Sequence, residues 1–567
     1  MSQILKNITG AEALLYSLIE EGATTIFGYP GGQIIPVYDK LYGFRDRIHH
    51  ILTRHEQGAV HAAQGYARAT GKPGVCFATS GPGATNLITG ITDAILDSTP
   101  LVCVTGQVPY NLLGNDAFQE ADIISLTMPV TKWSYQITSA DEIPWAVAKA
   151  FYIARSGRPG PVVLDFTKNA QVEKLDFEYT PCTGFRSYEP VPVVDMAAIN
   201  AAAELINKAK KPLILAGQGI KIAEAEQEIM QFAEKANIPV ASTLMALSAI
   251  PNGFSHYVGM LGMHGNIAPN IMTQQADLLI AVGMRFSDRI TGDLRDYAPN
   301  AKLVHIDIDS AEINKLIPAT VGINADAKEA LNALMPKVEG MDRAEWFELA
   351  ETKKKEEYKS VVCPCIHPES GPIRMGEAIN TIADTSGNDA IIVTDVGQQQ
   401  MFSARYSKFN KTRSFITSGG LGTMGFGLPA AMGAKIGEPG RKVVAILGDG
   451  GFQMTMQELG TIMQNNIDVK IVVLNNSYLG MVRQWQQLFF DRRYSFTELE
   501  NPDFIAIAKA YGIAGKRITD RSELCSAIDE MYNSKGAYFL EIAVAGEENV
   551  FPMVPAGASL NELLFSE

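Results

Sequence analysis

Short uninterrupted apolar runs, each ending in a glycine-rich turn, recur along the chain with helix-period stretches between them. In the first third they are TTIFG running into Tyr29-Pro30-Gly31-Gly32, GVCFATS (74–80), PLVCVTG (100–106) and GPVVLDF (160–166). Apolar runs of about four to eight residues bounded by turns read as strands covered on both faces. The intervening ATNLITGITDAILDS repeats its apolar positions at helical spacing. Strands alternating with helices predict a parallel α/β architecture. The pattern lapses over 171–195, a proline-rich aperiodic stretch that reads as a linker. A second block follows with PLILAGQGI (212–220), ADLLIAVGMRF (276–286) and KLVHIDID (302–309). EWFELAETKKKEEYKSV (345–361) has the charge pattern of a solvated surface helix. A third block starts near 370 and carries AIIVTDVG, KVVAILGDGG, VKIVVLNN and AYFLEIAVA. The prediction is an α/β chain of three doubly wound parallel sheets, over 1–172, 190–342 and 370–545, with a tail over 546–567. VCFATSGPGATN and VVAILGDGGFQM echo one another weakly, each a strand, a glycine turn and a helix start.

Composition narrows the function. Of 567 residues, 46% are hydrophobic and 19% charged, the balance of a packed globular chain. The formal net charge of −14 argues against a nucleic-acid partner, because binding a polyanion needs surplus cations. No run has the 18 or more apolar residues of a membrane helix, and no secretory or transit pattern opens the chain. With only six cysteines, two of them (Cys76 and Cys103) in apolar runs, a cytoplasmic location is expected. Cys363-Pro-Cys365 with His367 nearby lacks a matching second pair and reads as a loop, not a metal site.

The chemistry concentrates in the last third. Gly448-Asp449-Gly450 is followed after 24 residues by Asn475-Asn476, and both sit at the carboxyl ends of predicted parallel strands, where α/β sheets bind ligands. Asp449 offers a carboxylate oxygen, Asn476 an amide oxygen, and a backbone carbonyl just beyond a third ligand, a set suited to Mg²⁺ completed by phosphate oxygens. The glycines allow a diphosphate to approach the backbone, and a helix N-terminus favours it electrostatically.

This arrangement resembles the thiamine diphosphate enzyme superfamily. Across essentially the whole chain the sequence is similar to the large catalytic subunits of acetohydroxyacid synthase, also called acetolactate synthase. The resemblance makes Glu56, in RHEQGAVHAAQGYARATG, the carboxylate that activates thiamine. A glutamate in the first turn of a helix would otherwise need no such role. It assigns Phe118 and Gln119 of DAFQE to the substrate channel, and Lys168 of LDFTKN as the active-site lysine. Thiamine diphosphate contacts are implied at Tyr29, Pro30, Gly31, Gly32, Pro82, Asn86, Val396, Gly397, Gln398, Gln399, Gly422, Met424, Gly448, Asp449, Gly450, Gly451, Asn476, Tyr478, Gly480, Met481 and Val482. The implied metal ligands are Asp449, Asn476 and the Tyr478 carbonyl. FAD contacts are implied at Gly217, Gly219, Leu261, Gly262, Met263, His264, Gly283, Arg285, Arg289, Asp307, Ile308, Asp326 and Ala327. Taken alone, Met263 or Met424 would be core filler and Lys168 a surface lysine; their joint order carries the resemblance.

Two positions depart from the family pattern. The diphosphate loop often reads Gly-Gln-His and here is Gly397-Gln398-Gln399, a donor without charge. Ser287 precedes Asp288 where two aspartates are common. The resemblance implies decarboxylation of pyruvate and ligation of the two-carbon unit to pyruvate or 2-ketobutyrate, the first common step of valine, leucine and isoleucine biosynthesis. Its cofactors would be thiamine diphosphate, Mg²⁺ and a non-redox FAD. Arg289 would hold the second substrate's carboxylate, and Trp485 would favour the extra methyl of 2-ketobutyrate, a preference of about 1–3 kcal/mol. A homodimer or homotetramer and a small regulatory subunit are the implied partners. The alternatives are a pyruvate oxidase-like flavoenzyme, a FAD-free catabolic acetolactate synthase and a non-enzymatic nucleotide-binding scaffold.

Overall fold

The structure is a computed structural model and describes residues 4–566. Its frame is three six-stranded parallel sheets. The N-terminal sheet runs His49–Leu52, Thr25–Gly28, Gly74–Ala78, Leu101–Gln107, Pro161–Thr167, Trp133–Ile137. Numbered by chain position, that order is 2-1-3-4-6-5. The C-terminal sheet runs Phe415–Ile416, Ile391–Thr394, Val443–Gly448, Lys470–Asn475, Tyr538–Ala543, Ala514–Ile518, and repeats the same order. The strand-and-turn echo in the sequence is therefore real: Gly74–Ala78 and Val443–Gly448 are equivalent third strands. The central sheet differs. Tyr257–Met260, Val240–Ser242, Pro212–Ala216, Leu278–Val282, Lys302–Asp307 and Val321–Asn324 give the order 3-2-1-4-5-6.

The inner strands are buried on both faces, which is why they read as continuous apolar runs. Cys76 and Cys103 are two of these buried residues, free thiols facing each other across paired strands. The Glu56–Thr70 helix packs on the Gly427–Gly437 helix and joins the outer two units into one core. The approach is backbone to backbone. A Cβ on Gly65 would sit 1.9 Å from the Ala430 carbonyl oxygen, and one on Gly433 would sit 1.8 Å from that of Ala62.

Three local readings change. Within the expected linker, Lys174–Phe177 is a strand, pairing antiparallel with Leu5–Thr9; its exposed alternate residues hid it from an apolar-run criterion. The charged 345–361 stretch is helical over Ala344–Glu357 but not wholly solvated: Trp346 and Ala350 enter the central core, and Glu357 forms a buried ion pair with Arg405. Cys363–Ile366 is a short helix, not a loop, and Cys365 is buried against Glu548. No cluster of three His, Cys, Asp or Glu side chains placed to hold a metal exists among the described residues, and no described helix is long and apolar enough to cross a membrane.

Candidate active site

Doubly wound sheets bind ligands where the strand order reverses, beyond the carboxyl ends of the strands. Each of the three sheets has some of its marked residues there.

In the N-terminal sheet the reversal lies between Thr25–Gly28 and Gly74–Ala78, and the loops beyond are Tyr29–Gln33 and Ser80–Gly83. Gly31 lies so close to Thr79 that a Cβ would come within 2.5 Å. Glu56 begins its helix, capped by His55, whose Nδ1 accepts from the Gln57 amide. The Glu56 carboxylate accepts from Asn86 Nδ2 at 3.0 Å, and Pro82 opens the short helix that carries Asn86 at its end. Gln119 adopts φ +61° and packs on Gly81, while Phe118 stands 83% exposed. Lys168 opens a short helix and donates to the Gly32 carbonyl at 3.3 Å. These residues form one cluster. A group that no motif marked also supports it: Glu458, fully buried, accepts from the backbone amides of Arg54 at 3.0 Å and His55 at 3.1 Å, immediately before Glu56.

In the C-terminal sheet the reversal lies between Ile391–Thr394 and Val443–Gly448. Three helices begin around it, at Gln398, Asp449 and Gly480, aiming their N-termini into the same region. Such termini favour an anion. The cradle is glycine-built. A Cβ would meet Gln399 Oε1 at 2.5 Å from Gly397 and 3.1 Å from Gly448, and Gln398 Oε1 at 2.2 Å from Gly480; Gly451 has the Asp395 carboxylate in the same relation, at 2.6 Å. Gln399 therefore fills the gap between the Gly397 and Gly448 turns with an uncharged amide. Asp449 is buried, and burial pushes its carboxyl up to about 6. Its Oδ2 accepts from Asn501 at 2.7 Å and its Oδ1 from the Gly450 amide at 3.1 Å. The Asn476 amide oxygen is turned toward Tyr478, whose backbone N–H it accepts at 3.2 Å, around Ser477 at φ +58°. One carboxylate and one amide oxygen with a carbonyl beyond are hard donors of the kind Mg²⁺ takes. Asp395, also unmarked, holds the segment bearing Met424: its carboxylate accepts from Gly425 at 3.0 Å and Gly427 at 2.9 Å.

In the central sheet the reversal lies between Pro212–Ala216 and Leu278–Val282. There opens a cavity of about 690 Å³. Gly219, Leu261, Met263, His264, Gly283, Arg285, Arg289, Asp307, Ile308, Asp326 and Ala327 line it. Gly217 and Gly262 do not. They allow close packing instead: a Cβ on Gly217 would lie 2.0 Å from the Gly283 carbonyl oxygen, and one on Gly262, at φ +109°, 2.6 Å from that of Arg289. Burial raises Asp307 to about 6. Burial, with Arg405 and Arg289 nearby, lowers His264 to about 3, so the ring is neutral, and its Nδ1 has no partner among the described residues. The Arg289 guanidinium is mostly exposed and pairs with Asp288 at 2.7 Å. From the C-terminal unit, Val396, Gly422, Met481 and Trp485 reach the same cavity, whereas Val482, on the Met481 helix, is half-exposed outside it.

The chain does not bring every marked residue together. The large cavity takes in neither Glu56 nor Asp449, Asn476 or Lys168. The Glu56 and Asp449 groups lie outside it, each beyond the carboxyl ends of the strands of its own sheet.

Comparison with known proteins finds a family model on each of the three units. Residues 8–126 match the thiamine pyrophosphate enzyme N-terminal TPP binding domain, 199–334 the central domain, and 395–542 the C-terminal TPP binding domain. The Escherichia coli K12 acetolactate synthase isozyme 2 large subunit is 46% identical over 98% of this chain and 99% of its own length. The Corynebacterium glutamicum acetolactate synthase large subunit is 45% identical over 99% of this chain and 91% of its own. A probable large subunit from Methanocaldococcus jannaschii is 45% identical over 98% and 95%. Family models on all three units, and identity running almost end to end, place the chain in the acetolactate synthase large-subunit family of thiamine pyrophosphate enzymes.

Proposed function

We propose that the protein is a thiamine diphosphate-dependent acetolactate synthase: it decarboxylates pyruvate and joins the two-carbon unit to pyruvate or 2-ketobutyrate, in branched-chain amino acid biosynthesis. The observation that carries this is the C-terminal half-site, where Asp449 and Asn476 oxygens stand beside a glycine cradle at three helix N-termini. Mg²⁺ fits Asp449, Asn476 and the Tyr478 carbonyl. FAD fits the central crevice, where glycine turns leave room for a diphosphate and the buried Asp307 is placed at a strand end to accept from ribose hydroxyls. In the proposed division the pyrimidine-binding unit spans 1–172, the FAD-binding unit 190–342, the diphosphate unit 370–545 and the tail 546–567.

Bound thiamine diphosphate supplies the electron sink for loss of CO₂ and for the new carbon–carbon bond. The chain supplies the rest. Glu56, held at Oε2 by Asn86 and at the root of its helix by Glu458, is the proton-handling carboxylate. Met424, on a segment clamped by Asp395, props the cofactor's rings. Arg289, free to leave the exposed Asp288, holds the carboxylate of the acceptor ketoacid by a bidentate contact. Met481 and Trp485, one helical turn apart on the cavity wall, set the acceptor's size. The proposed active unit, as the resemblance implies, is a homodimer or homotetramer in which each centre pairs Glu56 of one subunit with the Asp449 group of another, a reading supported by the absence of both from the central cavity of the single chain. A small regulatory subunit and a cytoplasmic location complete the proposal.

The test is an assay of purified protein with thiamine diphosphate, Mg²⁺ and FAD added or omitted in turn, scoring both acetohydroxy acids and oxygen uptake. Acetolactate formation that requires thiamine diphosphate and falls at least about a hundredfold in Glu56→Gln supports the reading. Oxygen uptake without acetolactate selects a flavin oxidase instead.

A further inference from the structure

Asp97 is a junction of all three units. It ends the Ile88–Leu96 helix, is 2% exposed, and lines the central cavity. Its backbone carbonyl accepts from Gln218 Nε2 at 2.8 Å. Gln218 lies between Gly217 and Gly219 at the reversal point of the central sheet. The Asp97 carboxylate accepts from the backbone amides of Gly419 at 2.9 Å and Gly420 at 2.7 Å. Those glycines open the segment that runs through Gly422 to Met424. Arg68, near the end of the Glu56 helix, fixes the carboxylate by ion pairs to Asp97 at 3.0 Å and Asp93 at 3.1 Å. Asp93 in turn accepts from the hydroxyls of Ser418 and Thr423 in the same segment. One unbroken chain of hydrogen bonds therefore runs from the dinucleotide turn, through Asp97, to the backbone beside the thiamine site. Hydrogen bonds to a buried carboxylate are the stronger kind, so the segment follows the position of Asp97.

We propose that Asp97 and Gln218 are positioning residues that couple the central crevice to the Gly419–Met424 segment, so that FAD and thiamine diphosphate tighten one another's binding. The proposal rests on the functional reading above. It also gives a physical role to a cofactor that does no net redox work in the main reaction, since its binding would order the far wall of the neighbouring site. Coupling of this kind is reciprocal, each ligand changing the other's affinity by the same factor.

The experiment measures thiamine diphosphate affinity for the cofactor-stripped full chain, in Mg²⁺, by calorimetry with and without saturating FAD. Hydrogen exchange of the 418–424 peptide is followed in parallel. FAD is expected to tighten thiamine diphosphate about tenfold, within the usual range of coupling, and to slow exchange in that peptide. Gln218→Leu cuts the chain at its first link and Asp97→Asn at its second. Each should bring the affinity ratio close to one, whatever it does to either affinity alone. A wild-type protein that binds both cofactors without mutual effect, or a ratio preserved in both variants, overturns the proposal and leaves the functional reading intact. If either cofactor fails to bind the wild type, the functional reading falls and this proposal with it.

Discussion

The contact between the Glu56–Thr70 and Gly427–Gly437 helices sets how the two cofactor-bearing units sit on each other, and one methyl group tests it. In Gly433→Ala the new Cβ would stand 1.8 Å from the Ala62 carbonyl oxygen, against an ordinary contact of about 3.4 Å or more. The partner is backbone inside a helix and cannot rotate away, so the helices must part by about 1.6 Å. Over-packing of this sort costs about 1–3 kcal/mol of stability. The catalytic cost is larger, because Glu56 leads one of these helices and Met424 lies just before the other. A displacement of about 1 Å at the reacting groups costs about a hundredfold in rate. Denaturant unfolding and steady-state acetolactate formation should therefore show an unfolding free energy lowered by that amount, with a correspondingly lower midpoint, and kcat reduced by one to two orders of magnitude. Gly440→Ala, where no atom of the described residues lies within 4 Å of the added one, is the control and should change neither. If Gly433→Ala keeps kcat within twofold and an unchanged midpoint, the rigid backbone contact is not what registers the two units.

Asn501→Ala removes the 2.7 Å bond that orients Asp449 Oδ2. The Mg²⁺ concentration giving half-maximal thiamine diphosphate binding should rise about 10–100-fold, the usual cost of losing a ligand's support. Trp485→Leu should lower the proportion of 2-aceto-2-hydroxybutyrate formed from mixed pyruvate and 2-ketobutyrate by about tenfold, within the reach of one methylene; an unchanged ratio removes Trp485 from acceptor choice. Asp165 is buried beneath Thr105, Gln107 and Gln136, and burial raises it to about 6. Its folded pKa lies above its unfolded one, so its contribution to stability is present below about pH 4 and is lost as pH rises through about 6. The stability of Asp165→Asn minus that of wild type should accordingly increase between pH 4 and 6 in denaturant melts.

The fold was legible where burial was complete. Strands such as Leu101–Gln107 and Leu278–Val282 are buried at every position, and a run of apolar letters is the direct consequence. The edge strands escaped for the converse reason. Trp133–Ile137 is only half-buried over most of its length, Ala514–Ile518 buries only Ile518, and Phe415–Ile416 is two residues long. None has a one-dimensional signature apart from its pairing. The strand orders themselves, which set the reversal points, reside in contacts between distant segments and have no local trace at all.

The site divides along the same line. Gly448-Asp449-Gly450 and Asn475-Asn476 could be found because ligand and backbone chemistry force particular residues onto one βαβ unit. Asp395, Glu458 and Asp97 could not, because each is an acid whose work is done on amides elsewhere in the chain. Asp395 holds Gly425 and Gly427, Glu458 holds Arg54 and His55, and Asp97 holds Gly419 and Gly420. A buried carboxylate is tolerable only when several donors converge on it, and in all three cases those donors include backbone N–H groups of segments that carry the proposed cofactor-facing residues. Burial of these acids is thus the structural counterpart of a flexible glycine loop. The glycines of the segment around Met424, Gly422 and Gly425 at positive φ among them, cannot hold their own shape, and the carboxylates behind them do so. A substitution at any of the three should therefore disturb cofactor binding more than it disturbs the sheets, because its donors lie in the loops.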